Sequence, residues 1–143
     1  MGNDIVVEWQ PKVILRRLAG FSSEVVEHLG LFKLKNEKTP QLEAICEEMK
    51  QIFTSVALTP DNFLSMTEWY QSSVVMRYIF STFTEEGDTP EGMGNRLNAA
   101  IETIQQADDI IGARHQVEYL RDKFYELSRK CRAELQEPFD RVI

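Results

Sequence analysis

The chain has 143 residues, which is long enough for one domain with a sizeable apolar core and short for two. Hydrophobic residues make up 43% of it and charged residues 27%, a balance that disfavours a disordered chain. The formal net charge of -7 disfavours nucleic acid and anionic membranes as partners, because phosphate contact requires clustered Lys and Arg. We therefore expect residues 1–143 to form a single domain.

The sequence contains no pattern typical of export or of a membrane span. The N-terminus, MGNDIVVEW, lacks a basic region followed by a long apolar run, and no apolar run approaches the roughly 18 residues of a membrane span. Cys46 and Cys131 each fall in an apolar helical pattern and outside any CxxC motif, which predicts two reduced, buried thiols. These features predict a cytoplasmic or otherwise intracellular protein with no membrane partner.

The first predicted helices are short. Pro11 suits the first position of a helix that carries the apolar residues of VILRRL, and Gly20 is expected to end it. A second helix is expected to begin at Ser22 or Ser23 and to close at Gly30. The charged connector LKNEK then leads to the next helix.

Three Thr-Pro pairs predict later helix starts: Thr39-Pro40, Thr59-Pro60 and Thr89-Pro90. Threonine is a good N-cap residue, and proline fits the first helical position, where its missing N–H has no partner to lose. An acidic residue follows each pair closely, which complements the positive end of the helix dipole. The alternative interpretation is a set of proline-directed phosphorylation sites.

The middle of the chain contains one clear helix and one ambiguous segment. From Leu42 to Val56 the apolar residues recur at steps of three and four, which is typical of an amphipathic helix. After Pro60, the stretch VVMRYIF is apolar nearly all round and rich in β-branched and aromatic residues. We expect a helix there, and the alternative is an α+β domain with strands at 4–9 and 73–80.

Residues 83–95 are expected to form a mobile loop between two helices. Gly87, Gly92 and Gly94 interrupt an acidic stretch there, a composition typical of exposed connections. The carboxylates lack the regular spacing of a calcium loop, so no cation site is predicted. Early protease cleavage is expected within this loop.

The C-terminal part of the sequence predicts two helices. Apolar residues from Leu97 to Ile111 indicate the first. The second covers about 114–136 and has a nearly heptad seam of Val117, Leu120, Phe124, Leu127, Cys131 and Leu135. Residues 138–143 are expected to form a flexible tail. The fold predicted for the whole chain is an all-α, single-domain helical bundle of about six helices.

Enzyme motifs such as the P-loop, GxGxxG, HExxH and GxSxG do not occur in the sequence. Glu24 and Glu27 resemble the first half of the ExxE and ExxD motif of all-α nucleoside triphosphate pyrophosphatases, but Glu118 and Asp122 are spaced by four and do not supply the second half. No catalytic residue, cofactor or metal is therefore predicted. A metal-dependent nucleotide hydrolase remains an alternative, with further acidic pairs at Glu43 with Glu47 and at Asp108 with Asp109.

Arg77 is the most informative single residue, because it interrupts VVMRYIF, where an unpaired guanidinium is costly to bury. It lies at the core boundary, or forms half of a structural ion pair, or receives a carboxylate from a partner protein. If the segment is helical, Trp69, Tyr70 and Tyr78 lie nearby, and aromatic residues with Arg are typical of interface hot spots.

The sequence thus predicts a non-catalytic protein–protein interaction module, acting as an adaptor, complex subunit or regulator. The predicted partner-binding residues are Trp69, Tyr70, Arg77, Tyr78, Leu120, Phe124 and Leu127. The seam either faces the core or packs against a partner helix, which leaves open a homo-oligomer through helix 114–136. A nucleic-acid-associated regulator is the other alternative, with a basic contact formed by Arg121, Lys123, Arg129, Lys130 and Arg132.

Overall fold

The computed structural model describes residues 11–57 and 73–136, and every regular element in this part of the chain is helical. The elements are α1 (Pro11–Lys35), α2 (Pro40–Ala57), α3 (Ser73–Phe83), α4 (Pro90–Gln106), a 3-10 helix (Ile110–Ala113) and α5 (Arg114–Leu135). The prediction of an all-α helical bundle is confirmed. The alternative strand at 73–80 is wrong, since these residues lie in α3, and its suggested partner at 4–9 lies outside the described residues.

Two antiparallel helix pairs build the bundle. In the first pair, α1 packs along α5, and the Oγ atoms of Ser23 and Ser128 lie 3.2 Å apart. In the second pair, α2 packs along α4, where Asn98 Nδ2 donates to Thr54 Oγ1 over 3.0 Å. The helix α3 lies against α5, α1 and α2, and it therefore joins the two pairs.

Three phenylalanine rings in the core connect α2, α3 and α5. Phe53 of α2 and Phe83 of α3 have ring centroids 5.1 Å apart in an edge-on arrangement. Phe124 of α5 lies 5.1 Å from Phe83 and 6.1 Å from Phe53. All three side chains are fully buried. Edge-on and tilted aromatic contacts of this length each add about 0.5–1.5 kcal/mol beyond the burial of area, so this cluster holds three helices in one register.

The prediction that Gly20 ends one helix and Gly30 another is wrong, because α1 runs without a break for 25 residues. A glycine inside a helix costs about 1 kcal/mol relative to alanine. Apolar burial against α5 outweighs that cost, since Leu18, Val25 and Leu29 are all fully buried. Two predicted short helices have thus merged, which accounts for five α-helices in the described residues instead of about six.

The predicted Thr-Pro helix starts are confirmed at the two pairs that the structure describes. Thr39 Oγ1 accepts a hydrogen bond from Leu42 N over 3.1 Å at the start of α2. Thr89 Oγ1 accepts one from Gly92 N over 3.0 Å at the start of α4. The third pair, Thr59-Pro60, lies outside the described residues.

Polar contacts between two connectors close one end of the bundle. Lys38 Nζ donates to the backbone carbonyls of Ile104 and Gln105 at the end of α4, over 3.2 and 2.8 Å. Asn36, which has a left-handed φ of 55°, accepts a hydrogen bond from Ile110 N through its side-chain oxygen. The α1–α2 connector therefore satisfies backbone groups that α4 and the 3-10 helix leave without helical partners.

A comparison of two glycine substitutions tests the account of α1. A Cβ built at Gly20 meets nothing within 4 Å, whereas one built at Gly30 lies 3.1 Å from Arg121 Nε. We expect Gly20→Ala to raise the free energy of unfolding by about 0.5–1 kcal/mol. We expect Gly30→Ala to raise the free energy of unfolding by less, because the guanidinium of Arg121 has to move to make room for the added methyl group. Urea unfolding of both variants measures the difference, and equal gains would show that Arg121 does not restrict this site.

Candidate partner-binding surface

The position of α3 on the bundle is fixed by polar contacts with α5. Tyr78 OH donates to Glu134 Oε1 over 2.9 Å. Lys130 Nζ donates to Ser81 O and Thr82 Oγ1, over 3.2 Å in each case. Burial and the hydrogen bond to Glu134 raise the pKa of Tyr78, so its hydroxyl keeps its proton and remains a donor. These contacts hold α3 antiparallel to the last turns of α5.

Arg77 is exposed on α3, with its guanidinium carbon 5.5 Å from the ring centroid of Tyr78. In the described part of the chain this ring is the one partner that the side chain has. Of the interpretations of Arg77, a structural ion pair therefore finds no support among these residues. The cation–π contact orients the guanidinium, and its five N–H donors make no hydrogen bond to another described residue.

The predicted seam residues lie elsewhere. Leu120, Phe124 and Leu127 are fully buried in the core of the monomer. The seam faces α1 and the phenylalanine cluster, because α1 supplies the complementary apolar stripe along the whole helix. These three residues are therefore unavailable to a partner in this fold, which corrects that part of the predicted surface. Trp69 and Tyr70 lie outside the described residues.

Two basic residues that the sequence patterns did not single out, Lys12 and Arg17, lie at the same end of the bundle as Arg77. Both are exposed in the first turns of α1, and Arg129 is exposed in the last turns of α5. The antiparallel packing of α1 and α5 brings these turns to one end of the bundle. A signal was present in the sequence, since cations at a helix N-terminus oppose the helix dipole and therefore need an explanation.

The thiols and imidazoles do not assemble into a nucleophilic site. Cys46 and Cys131 are free and buried, as predicted, and burial raises the pKa of each thiol to about 12. A thiolate is the reactive form, so both cysteines are inert near neutral pH. His28 is half-buried on α1 and His115 is exposed on α5.

The acidic pairs have structural roles or point to solvent. Glu43 and Glu47 both accept from the amide nitrogen of Gln105, over 3.0 and 2.7 Å, and so tie α2 to α4. Asp109 Oδ1 accepts from Gly112 N and caps the 3-10 helix, while Glu24 is exposed on α1. Within residues 11–57 and 73–136, no group of three or more His, Cys, Asp or Glu side chains has the arrangement of a metal site. In the same residues, no helix is both long and apolar enough to cross a membrane.

The acidic loop is shorter than predicted, because α3 ends at Phe83 and α4 begins at Pro90. Arg96 of α4 reaches back across it and donates to Phe83 O over 3.0 Å and to Asp88 Oδ2 over 2.9 Å. Its other terminal nitrogen donates to Tyr119 OH over 3.3 Å and lies 3.6 Å from Glu85 Oε2. The prediction of a mobile loop at 83–95 rested on its glycines, whereas the contacts of Arg96 lead us to expect restrained motion in residues 84–89.

No protein-family model, curated protein or solved structure matches this chain. Its function therefore has to be inferred from its own geometry. Of the predicted partner-binding residues, the described part of the chain brings Arg77 and Tyr78 together on an outward-facing helix. These two residues define the candidate surface, with Met76 and Phe80 half-buried beside them.

Removal of the Arg96 side chain is expected to free the loop. Arg96→Ala deletes the contacts with Phe83 O, Asp88 and Tyr119, and we expect a loss of about 1–2 kcal/mol in the free energy of unfolding. Limited proteolysis should then cut faster within residues 84–89. Arg96→Lys retains the positive charge but not the planar guanidinium group, so its stability and its rate of cleavage should lie between those of the wild type and Arg96→Ala. Arg114→Ala, an exposed change on another helix, is the control, and equal cleavage of all variants would contradict the role assigned to Arg96.

Asp88 provides a pH test of the same contacts. The hydrogen bond from the backbone N–H of Glu85, and then the one from Arg96, hold the pKa of Asp88 below its ordinary value. A lowered pKa in the folded state stabilises the fold above the unfolded pKa, and that contribution disappears as pH falls below about 4. NMR titration should show the low pKa in the wild type and a partial rise in Arg96→Ala. An unchanged pKa would mean that the backbone contact alone sets it.

Proposed function

We propose that this protein is a non-catalytic protein–protein interaction module, an adaptor, complex subunit or regulator, that binds a partner protein through the surface around Arg77 and Tyr78. The observation that carries the proposal is an exposed Arg held over a tyrosine ring on a firmly attached helix. Arginine and tyrosine are enriched among residues that dominate binding energy, and a pre-oriented side chain loses little entropy on association.

The chemistry of the surface supports recognition of a carboxylate. The planar guanidinium of Arg77 can donate two parallel hydrogen bonds to a carboxylate group. Tyr78, Met76 and Phe80 are each half-buried and packed against the core, so a partner can cover their exposed parts without rearranging the helix. In this arrangement burial of aromatic and aliphatic area supplies affinity, and charge sets selectivity.

The alternative functions have less support from the described residues. Of the basic residues predicted to contact nucleic acid, Lys130 is bound to α3 and to Glu126, and Arg132 lies against Ser23 and Ser128. For self-association through helix 114–136, the apolar stripe is already buried within the monomer. As part of the proposal the protein works in the cytoplasm or another intracellular compartment, where two buried thiols remain reduced.

Quantitative affinity capture with three forms of the protein tests the proposal. The forms are the wild type, Arg77→Ala, and Arg114→Ala as a matched control, since Arg114 is also exposed. We expect Arg77→Ala to lower capture of a specific partner at least about tenfold, while Arg114→Ala leaves it unchanged. Urea unfolding should show a change in stability below about 1 kcal/mol for both variants. Loss of stability without loss of capture would contradict the proposal.

A further inference from the structure

We infer that the segment of the partner that docks on this surface is acidic, and that it lies across a basic end of the bundle formed by α1, α3 and α5. This inference rests on the proposed function and adds the chemistry of the partner to it. The position, pairing and helix context of the basic residues at that end support it.

The way that α1, α3 and α5 pack together places many basic side chains at this end of the bundle. Ser23 with Ser128 and Lys33 with Glu118, whose charged atoms lie 3.2 Å apart, fix α1 antiparallel to α5. Tyr78 with Glu134 fixes α3 alongside the same turns of α5. Over residues 11–20, 73–80 and 129–136, Glu134 is the one acidic side chain, against the basic side chains of Lys12, Arg16, Arg17, Arg77, Arg129, Lys130 and Arg132.

Three of the seven cations at this end have no partner among the described residues, and a fourth contacts only an aromatic ring. Among the described residues, Lys12, Arg17 and Arg129 make no hydrogen bond or ion pair, and Arg77 contacts the ring of Tyr78 alone. Elsewhere Lys33 and Lys50 each meet a carboxylate, while Lys35 and Arg114 at the opposite end are exposed and make no ion pair among the described residues. The basic end therefore differs in how many cations it collects with a single acidic side chain among them. A chain with a net charge of -7 has many acids to pair with, yet it keeps these four cations accessible.

The location of Lys12 argues against a role in helix stability. It lies in the first turn of α1, a turn without an acidic residue, where the positive end of the helix dipole disfavours a cation. The neighbouring end of α5 does not require it, since Arg132 lies in the last turn of α5 and the left-handed Gln136 N–H already bonds to the carbonyls of Ala133 and Arg132. Positive charge is thus kept at a position where the fold gains nothing from it.

An acidic protein segment fits this end better than a nucleic acid or a membrane. A nucleic acid and a membrane both carry negative charge over an area larger than the basic end. The acidic residues on the rest of this protein would repel the parts of such a partner that extend past the basic end. A short peptide needs to meet only the few cations here, and guanidinium groups bind carboxylates in a bidentate geometry. Four accessible cations would also speed the encounter with such a peptide.

A defined probe tests the inference before any natural partner is identified. The probe is a synthetic peptide of alternating glutamate and glycine, titrated by calorimetry into the full chain, with its glutamine analogue as control. We expect the glutamate peptide alone to bind, and its affinity to fall as salt rises from about 0.05 M to about 0.5 M, because screening shortens the range of the charges. Double-stranded DNA and vesicles of phosphatidylserine are titrated in parallel.

Matched charge reversals locate the site. The double variant Arg17→Glu with Arg129→Glu removes two cations from the basic end, and Lys35→Glu with Arg114→Glu makes the same change in net charge at the opposite end. We expect the first to weaken peptide binding at least about tenfold and the second to leave it within about twofold. Circular dichroism and thermal unfolding confirm that both remain folded. Lys12→Glu should weaken binding while raising Tm, a combination that a purely structural role for Lys12 would not produce.

Several results would overturn the inference. They are binding of the glutamine analogue with equal affinity, equal weakening by both double variants, and tighter binding of DNA or vesicles than of the glutamate peptide. None of these results bears on capture of a partner through Arg77. If capture still depends on Arg77 while the glutamate peptide fails to bind, the proposed function stands and the acidic chemistry of the partner is wrong.

Discussion

The antiparallel packing of α1 against α5 determines most other features of this structure. It buries the seam of α5 against an apolar stripe that runs the length of α1, and it sets Phe124 where Phe53 and Phe83 can meet it. Two in-helix glycines are tolerated because this interface outweighs their cost of about 1 kcal/mol each. The same packing also carries the first turns of α1 to the last turns of α5, so one contact positions both the core and the basic end.

Polar contacts hold the connectors, which the apolar core does not position. Lys38 and Asn36 satisfy backbone groups at the end of α4 and at the 3-10 helix, and Arg96 satisfies the last carbonyl of α3. Each is a single side chain that holds a connector against a helix, and each compensates for backbone groups that a short helical bundle exposes at its ends. The connectors are therefore tied to the helices that they join.

Much of the fold could be predicted from local rules, and the rest depended on long-range contacts. The caps at Thr39 and Thr89 and the seam of α5 follow from residue type and spacing. The continuity of α1 through Gly20 could not be predicted, because it depends on a partner helix about a hundred residues away in sequence. In the candidate surface, the outward position of Arg77 on α3 is compatible with the predicted role, whereas burial of Leu120, Phe124 and Leu127 emerged only when α1 was placed against them.

Internal contacts account for some of the basic residues and leave others unexplained. Lys33, Lys38, Lys50 and Arg96 each meet a carboxylate or a carbonyl on another element, and the fold explains them. No such contact explains Lys12, Arg17 or Arg129 among the described residues, and the helix dipole disfavours Lys12 where it lies. Departures from the rules of local stability are expected at functional or strained sites. Arg77 belongs with this group, since its one contact within residues 11–57 and 73–136 orients the guanidinium without neutralising it. Positive charge is thus concentrated at one end of an otherwise acidic protein, where guanidinium groups can pair with carboxylates of another molecule.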